Sequence, residues 1–200
     1  MKRAVLIDVD TQNDFMRRNG ALYVPEAEDI IPRVADLLEY AAGCGIRVIS
    51  TMDTHTKDDP EFAEFTPHCI KGTSGWEKIE ESLLDNTIQL SVDRKPSLPK
   101  NILDYPQIII EKPTYDAFSN PALNALIEKL NRPECMVFGV ATDYCVRLAC
   151  LGLLERQCKV NLIINATRPV LERTGRETIE ELKDKGVEFI TSAEVMRVAV

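Results

Sequence analysis

The chain has 200 residues, 44% hydrophobic and 28% charged, an ordinary balance for a globular protein with a core. Its formal charge of −8 argues against nucleic acid or an anionic membrane as the main partner. The basic then apolar start, Met1-Lys2-Arg3-Ala4-Val5-Leu6-Ile7, is interrupted by Asp8 and Asp10, and no apolar run reaches spanning length. Neither a signal peptide nor a membrane span is therefore expected, and the expected location is cytoplasmic.

Apolar runs at Ala4–Val9, Arg47–Thr51, Gln107–Glu111, Cys135–Val140, Lys159–Ile164 and Val187–Thr191 read as short buried strands. Helical spacing separates most of them: Ile30, Val34, Leu37, Leu38 and Ala41, then Leu123, Leu126, Ile127 and Leu130, then Ile179 and Leu182. This alternation predicts one α/β domain over residues 1–200, a doubly wound parallel sheet with helices on both faces. Functional residues then belong beyond the carboxyl ends of the strands, where strand order reverses. Two long connections, 52–75 and 84–106, interrupt the rhythm, the second carrying Pro96, Pro99 and Pro106. Six cysteines (Cys44, Cys69, Cys135, Cys145, Cys150 and Cys158) without a secretory signal imply no disulfide framework, and with no C-x-x-C pair neither a thiolate zinc site nor a thioredoxin-like motif is expected.

The first strand runs into Asp8-Val9-Asp10-Thr11-Gln12, with Asp8 and Asp10 on one face by alternation. The second leads to Asp53-Thr54-His55, followed by Asp58, Asp59, Glu61, Glu64 and His68; both histidines of the chain fall here. A loop that returned Glu61 and His68 to Asp53 and His55 would assemble two nitrogens and two carboxylates. That set suits zinc, manganese or ferrous iron better than calcium. The third strand ends at Lys112, and the fourth passes through Gly139-Val140-Ala141 into a helix that Thr142 or Asp143 can cap. Cys145 then lies in the first helical turn, where free N–H groups and the dipole favour a thiolate and can hold an oxyanion. With both histidines on metal, its proton falls to Asp10 or Lys112.

Asp8-Val9-Asp10 also resembles the opening of haloacid-dehalogenase phosphatases, although Thr11-Gln12 replaces the usual glycine and no later paired-aspartate magnesium motif follows. A more specific likeness covers nearly the whole chain. Asp10-Thr11-Gln12-Asn13-Asp14-Phe15, Lys112-Pro113-Thr114-Tyr115-Asp116-Ala117-Phe118 and Gly139-Val140-Ala141-Thr142-Asp143-Tyr144-Cys145-Val146 resemble the isochorismatase-like cysteine hydrolases. The resemblance implies a six-stranded sheet of order 3-2-1-4-5-6, an Asp10–Lys112–Cys145 triad and a cis peptide between Val140 and Ala141. Asp53-x-His55 and the run Pro67 to Gly75 look like the nicotinamidase/pyrazinamidase branch. That branch implies a divalent metal, zinc foremost with manganese or iron possible, on Asp53, His55, Glu61 and His68; Asp59 or Glu64 are alternatives to Glu61. It further implies an oxyanion hole at the N–H groups of Ala141 and Cys145, and an aromatic wall of Phe15, Phe65 and Phe118. The implied partner is a small amide, nicotinamide foremost as in NAD salvage, and the implied assembly a homo-oligomer. A metal-independent amidase or carbamoyl hydrolase, and a non-catalytic binding protein on the same scaffold, are the competing expectations.

Overall fold

The structure, a computed structural model, describes residues 4–92 and 98–197. Strand β1 (Ala4–Val9) turns Val5, Ile7 and Val9 to one face of the sheet and Leu6 to the other, as a pleat requires. On the first face these residues meet α3 (Pro121–Lys129), α4 (Arg147–Glu155) and Leu182 of α5 (Glu172–Asp184). On the second, Leu6 joins Val34, Leu37, Leu38 and Ala41 of α2 (Ile31–Cys44) and Val195 of α6 (Ser192–Val195). A short first helix, α1 (Asn13–Met16), follows β1 directly. Each large apolar side chain fully buried in these layers contributes about 1.5–3 kcal/mol. The helical spacing read for α2 is borne out, and Gly45, at φ 65°, closes it in the left-handed conformation that glycine adopts freely.

The sheet contains β2 (Arg47–Asp53), β3 (Thr87–Leu90), β4 (Gln107–Lys112), β5 (Glu134–Val140), β6 (Lys159–Arg168) and β7 (Glu188–Ile190) besides β1. Its order is β3-β4-β2-β1-β5-β6-β7, and all pairings are parallel. The described residues thus form seven strands rather than the expected six. The added one, β3, lies at the edge inside the connection expected to be irregular; without it the remaining six keep the order 3-2-1-4-5-6. With four residues, of which only Leu90 is buried, β3 is too short and too half-exposed to carry an apolar run. Pro96 of the same connection lies outside the described residues.

Strand order reverses at β1, whose neighbours are β2 on one side and β5 on the other. Asp53 and Lys112 are paired in register as the last residues of β2 and β4, both strands running further than their apolar stretches. Gly139 has φ 112°, and a Cβ there would stand 2.1 Å from the carbonyl oxygen of Val9. Only glycine lets β5 shift register against β6 between Val137 and Gly139 while pressed against β1. No described helix is long and apolar enough to cross a membrane.

Candidate active site

Alternation ends with β1. Asp10 takes φ 48°, and its carboxylate leaves the face that Asp8 occupies. Asp8 accepts hydrogen bonds from Ser50 and Thr11, both at 2.8 Å, and its Oδ2 lies 3.0 Å from the buried Lys78 Nζ. Asp10 instead accepts from the Thr51 hydroxyl at 2.6 Å, and its Oδ2 lies 2.9 Å from Lys112 Nζ. The expectation of two aspartates on one face is therefore corrected. Ser50 and Thr51, adjacent in β2, point to opposite faces, and one aspartate follows each. Asp8, wholly buried and ion-paired, offers no accessible phosphatase-like nucleophile.

Lys112 is 0% exposed and stands at the centre. Its Nζ lies 2.9 Å from Asp10 Oδ2, 3.0 Å from Asp53 Oδ1, 3.0 Å from the Thr114 carbonyl and 3.6 Å from Cys145 Sγ. Burial alone would discharge this amine, but the charges of Asp10 and Asp53 outweigh it and hold its pKa well above the usual lysine value. The same ammonium, with hydrogen bonds from His55 and His68, overcomes burial at Asp53 and holds that carboxyl well below its usual range.

Cys145 follows the cis Val140–Ala141 peptide and sits in a π-helical turn, Thr142–Val146, that leads into α4. Neither Thr142 nor Asp143 caps this turn, contrary to the sequence reading. Asp143 reaches across to the N–H groups of Val170 and Leu171 and the Thr174 hydroxyl, and Thr142 bonds Thr167. Cys145 is 7% exposed and lines a cavity. Burial pushes its thiol well above the usual range, Lys112 opposes, and the charges of Asp10 and Asp53 add to the rise. Burial and the neighbouring carboxylates thus oppose the thiolate that the helix terminus alone would favour.

Asp53, His55, Glu61 and His68 converge, their ligand atoms all within 4.8 Å of one another. His55 Nε2 is 3.1 Å and His68 Nε2 3.4 Å from Asp53 Oδ2; Glu61 Oε1 is 3.9 Å and 3.7 Å from the two ring nitrogens. On the outer side, His68 Nδ1 lies 2.8 Å from the Thr66 carbonyl, and His55 Nδ1 lies 3.0 Å from Asp59 Oδ2, a charge contact without hydrogen-bond alignment. Two imidazoles aimed inward through Nε2, with two carboxylates, fit a divalent transition metal. Asp59 thus stands behind His55, and Glu61 rather than Asp59 completes the cluster. Burial raises the carboxyl of Glu61, and Asp53 adds to it.

The loop bearing His68 is tied to β1. The buried Gln12 side chain donates to the carbonyls of Asp53 (2.9 Å) and Trp76 (2.8 Å) and accepts from Asp53 N–H at 2.7 Å. Asp14 accepts from the N–H groups of Cys69 at 2.7 Å and Ala21 at 2.9 Å. Both residues belong to the Asp10 to Phe15 motif, and only the burial of its turn shows that their side chains hold the loop.

The cavity opens to solvent and is lined by Cys145, Ala141, Asp53, Glu61, His68 and mostly apolar side chains. Phe15 and Phe65 are among them; Phe118 is not. Its ring lies under the Arg156 guanidinium, 3.6 Å from carbon to centroid, and against Gly152 of α4. A 3-10 turn, Ala117–Ser119, directs it into the helix layer. The third wall position belongs to Tyr115 and Tyr144, which with Phe65 form a triangle of edge contacts at 6.0–6.1 Å. Both tyrosines lie inside motifs already read, at the ends of β4 and β5, where an aromatic faces the crevice.

A buried thiol, carboxylate and ammonium from three strand ends thus lie beside a metal-type donor set at a topological switch point. The isochorismatase domain profile matches residues 4–90 and 93–194, and the chain belongs to the isochorismatase family. Nicotinamidase of Saccharomyces cerevisiae is 25% identical over 214 residues, covering 90% of this chain and 94% of its own. Nicotinamidase of Escherichia coli is 28% identical over 193 residues, 84% of each chain. The crystal structure of Pyrococcus horikoshii pyrazinamidase in complex with zinc superposes with a TM-score of 0.78 at 27% identity, covering 96% of this chain and 99% of that one. Within the family, these likenesses place the chain on the nicotinamidase/pyrazinamidase branch, among amide hydrolases.

Proposed function

We propose that the protein hydrolyses nicotinamide to nicotinate and ammonia through a thioester on Cys145. The observation that carries this reading is the position of Lys112 Nζ, within 3.6 Å of Cys145 Sγ and ion-paired to both Asp10 and Asp53. An aromatic amide of one ring suits the apolar cavity between Phe15, Phe65, Tyr115 and Tyr144. Asp53, His55, Glu61 and His68 would hold a divalent metal, zinc best matched by the two nitrogens, which would supply a Lewis-acidic anchor for the substrate.

Asp10 Oδ2 accepts the Cys145 proton as sulfur bonds to the carboxamide carbon. Lys112 keeps the new thiolate character and the carboxylate electrostatically balanced. The backbone N–H groups of Ala141 and Cys145 receive the oxyanion. Asp10 returns its proton to the nitrogen as the C–N bond breaks and ammonia leaves. Water, deprotonated by Asp10, then cleaves the thioester; the product acid departs and the thiol regains its proton. The phenol of Tyr115, pushed up to about 12 mainly by burial, stays protonated and serves as wall rather than base.

The test is ammonia release from nicotinamide by purified protein, with and without a chelator. Metal-dependent release is expected. Release indifferent to chelation and to His55→Ala would instead indicate a metal-independent amidase. No release, together with no preference of an alkylating agent for Cys145, would indicate a binding protein.

A further inference from the structure

We propose that Thr51 is a positioning residue for Asp10, setting which carboxylate oxygen meets the thiol. The inference rests on the reading of Asp10 as the proton acceptor.

Asp10 has an uncommon backbone conformation for a non-glycine residue, φ 48°. One side-chain group answers for both ends of it. The Thr51 oxygen accepts the Asp10 N–H at 3.2 Å and donates its proton to Asp10 Oδ1 at 2.6 Å. A hydroxyl carries a single proton, so this donation spends it on Oδ1 and fixes the rotation of the carboxylate. Oδ2 is left towards Lys112 Nζ at 2.9 Å, the same ammonium that stands 3.6 Å from Cys145 Sγ, and so faces the cluster that holds the thiol. Thr51 and Asp10 are both wholly buried, which keeps water from replacing a lost hydroxyl. Thr51 is also isolated from the other nearby ion pair by strand geometry. Its neighbour Ser50 serves Asp8, and Lys78 touches Thr51 only through the backbone carbonyl, at 3.4 Å. The Thr51 hydroxyl therefore acts on Asp10 alone among the carboxylates of the site.

Without that hydroxyl, Asp10 keeps its ion pair with Lys112 but loses the contacts that fix its rotation and its backbone. The ring cavity and the four-donor cluster keep their contacts. Thr51→Val, nearly isosteric, is expected to lower kcat for nicotinamide about 10- to 100-fold, the worth of a hydrogen bond to a charged group. KM is expected to stay within about two-fold and bound zinc per chain to stay unchanged, while Thr51→Ser restores kcat to within a few-fold of wild type. A merely structural role would not split kcat from KM or be rescued by serine. Alkylation of Cys145 by iodoacetamide, followed by mass spectrometry, supplies a readout independent of substrate and is expected to slow in the valine variant only. If wild-type protein hydrolyses no nicotinamide but alkylation follows this pattern, the proposed substrate fails and the role of Thr51 stands. Wild-type kcat and alkylation rate in Thr51→Val, a kcat loss matched by lost zinc, or no rescue by serine would overturn the proposal. Thr51→Ala takes the place of a valine variant that does not fold, with the same criteria; collapse of both assigns Thr51 a structural role and overturns it too.

Discussion

Lys112 Nζ lies 3.0 Å from Asp53 Oδ1, and this ion pair joins the thiol cluster to the histidine cluster. Asp53 Oδ2 faces His55 and His68, so one carboxylate serves a buried ammonium on one side and the metal-type donors on the other. Neither cluster is electrostatically independent of the other.

Lys112→Met is expected to reduce nicotinamide turnover at least about a thousand-fold, the usual loss when one member of a catalytic unit is removed. It also leaves Asp10 and Asp53 buried without their cation, a defect worth about 3–5 kcal/mol. Steady-state assay and urea unfolding measure the two effects. Undiminished turnover would remove lysine from the chemistry.

Removing metal with a chelator is expected to stop turnover, and zinc, manganese or ferrous iron to restore it. Asp59 lies 3.0 Å from His55 Nδ1 and accepts the N–H of Glu61, so Asp59→Asn is expected to weaken metal binding about 10- to 100-fold. Competition against a zinc-binding dye reads this directly. Wild-type affinity in the variant would show that Asp59 does not orient the imidazole.

Phe118→Ala is expected to cost about 2–3 kcal/mol, less than a fully enclosed phenylalanine, while KM stays near wild type. Phe65→Ala is expected to do the reverse, raising KM through lost wall contact with little effect on the fold. The pair of variants, compared in thermal melts and in assay, separates helix-layer packing from the substrate wall.

Glu111 links pH to stability. Burial opposes its charge, but hydrogen bonds from Lys71 and Gln89 outweigh burial and hold its carboxyl below the usual range. A carboxyl lowered in the native state contributes stability above the unfolded-state pKa, and that contribution disappears as pH falls through the native pKa. Denaturation midpoints of wild type should therefore drop more steeply than those of Glu111→Gln as pH falls from about 5 into the acid range. Parallel pH profiles would discount the interaction.

What was legible in the sequence was whatever depends on short-range pattern. Apolar runs and helical spacing sufficed for the α/β class and for placing Asp10, Lys112 and Cys145 at strand ends, since a parallel sheet brings those ends to one side. Residues with two histidines and several acids on one loop were enough to suggest a metal set. Tertiary structure decided the rest, because it depends on what each side chain meets. Asp8 and Asp10 look equivalent along the chain, yet one backbone angle and two adjacent hydroxyls of β2 send them to different lysines. Phe118 reads as a wall residue until a 3-10 turn carries it beneath Arg156. The edge strand β3 has too few buried residues to show a period, and pairing with β4 alone makes it a strand. Helix-terminus reasoning predicted a thiolate at Cys145, but burial and the facing Asp10 carboxylate, both long-range effects, favour the thiol.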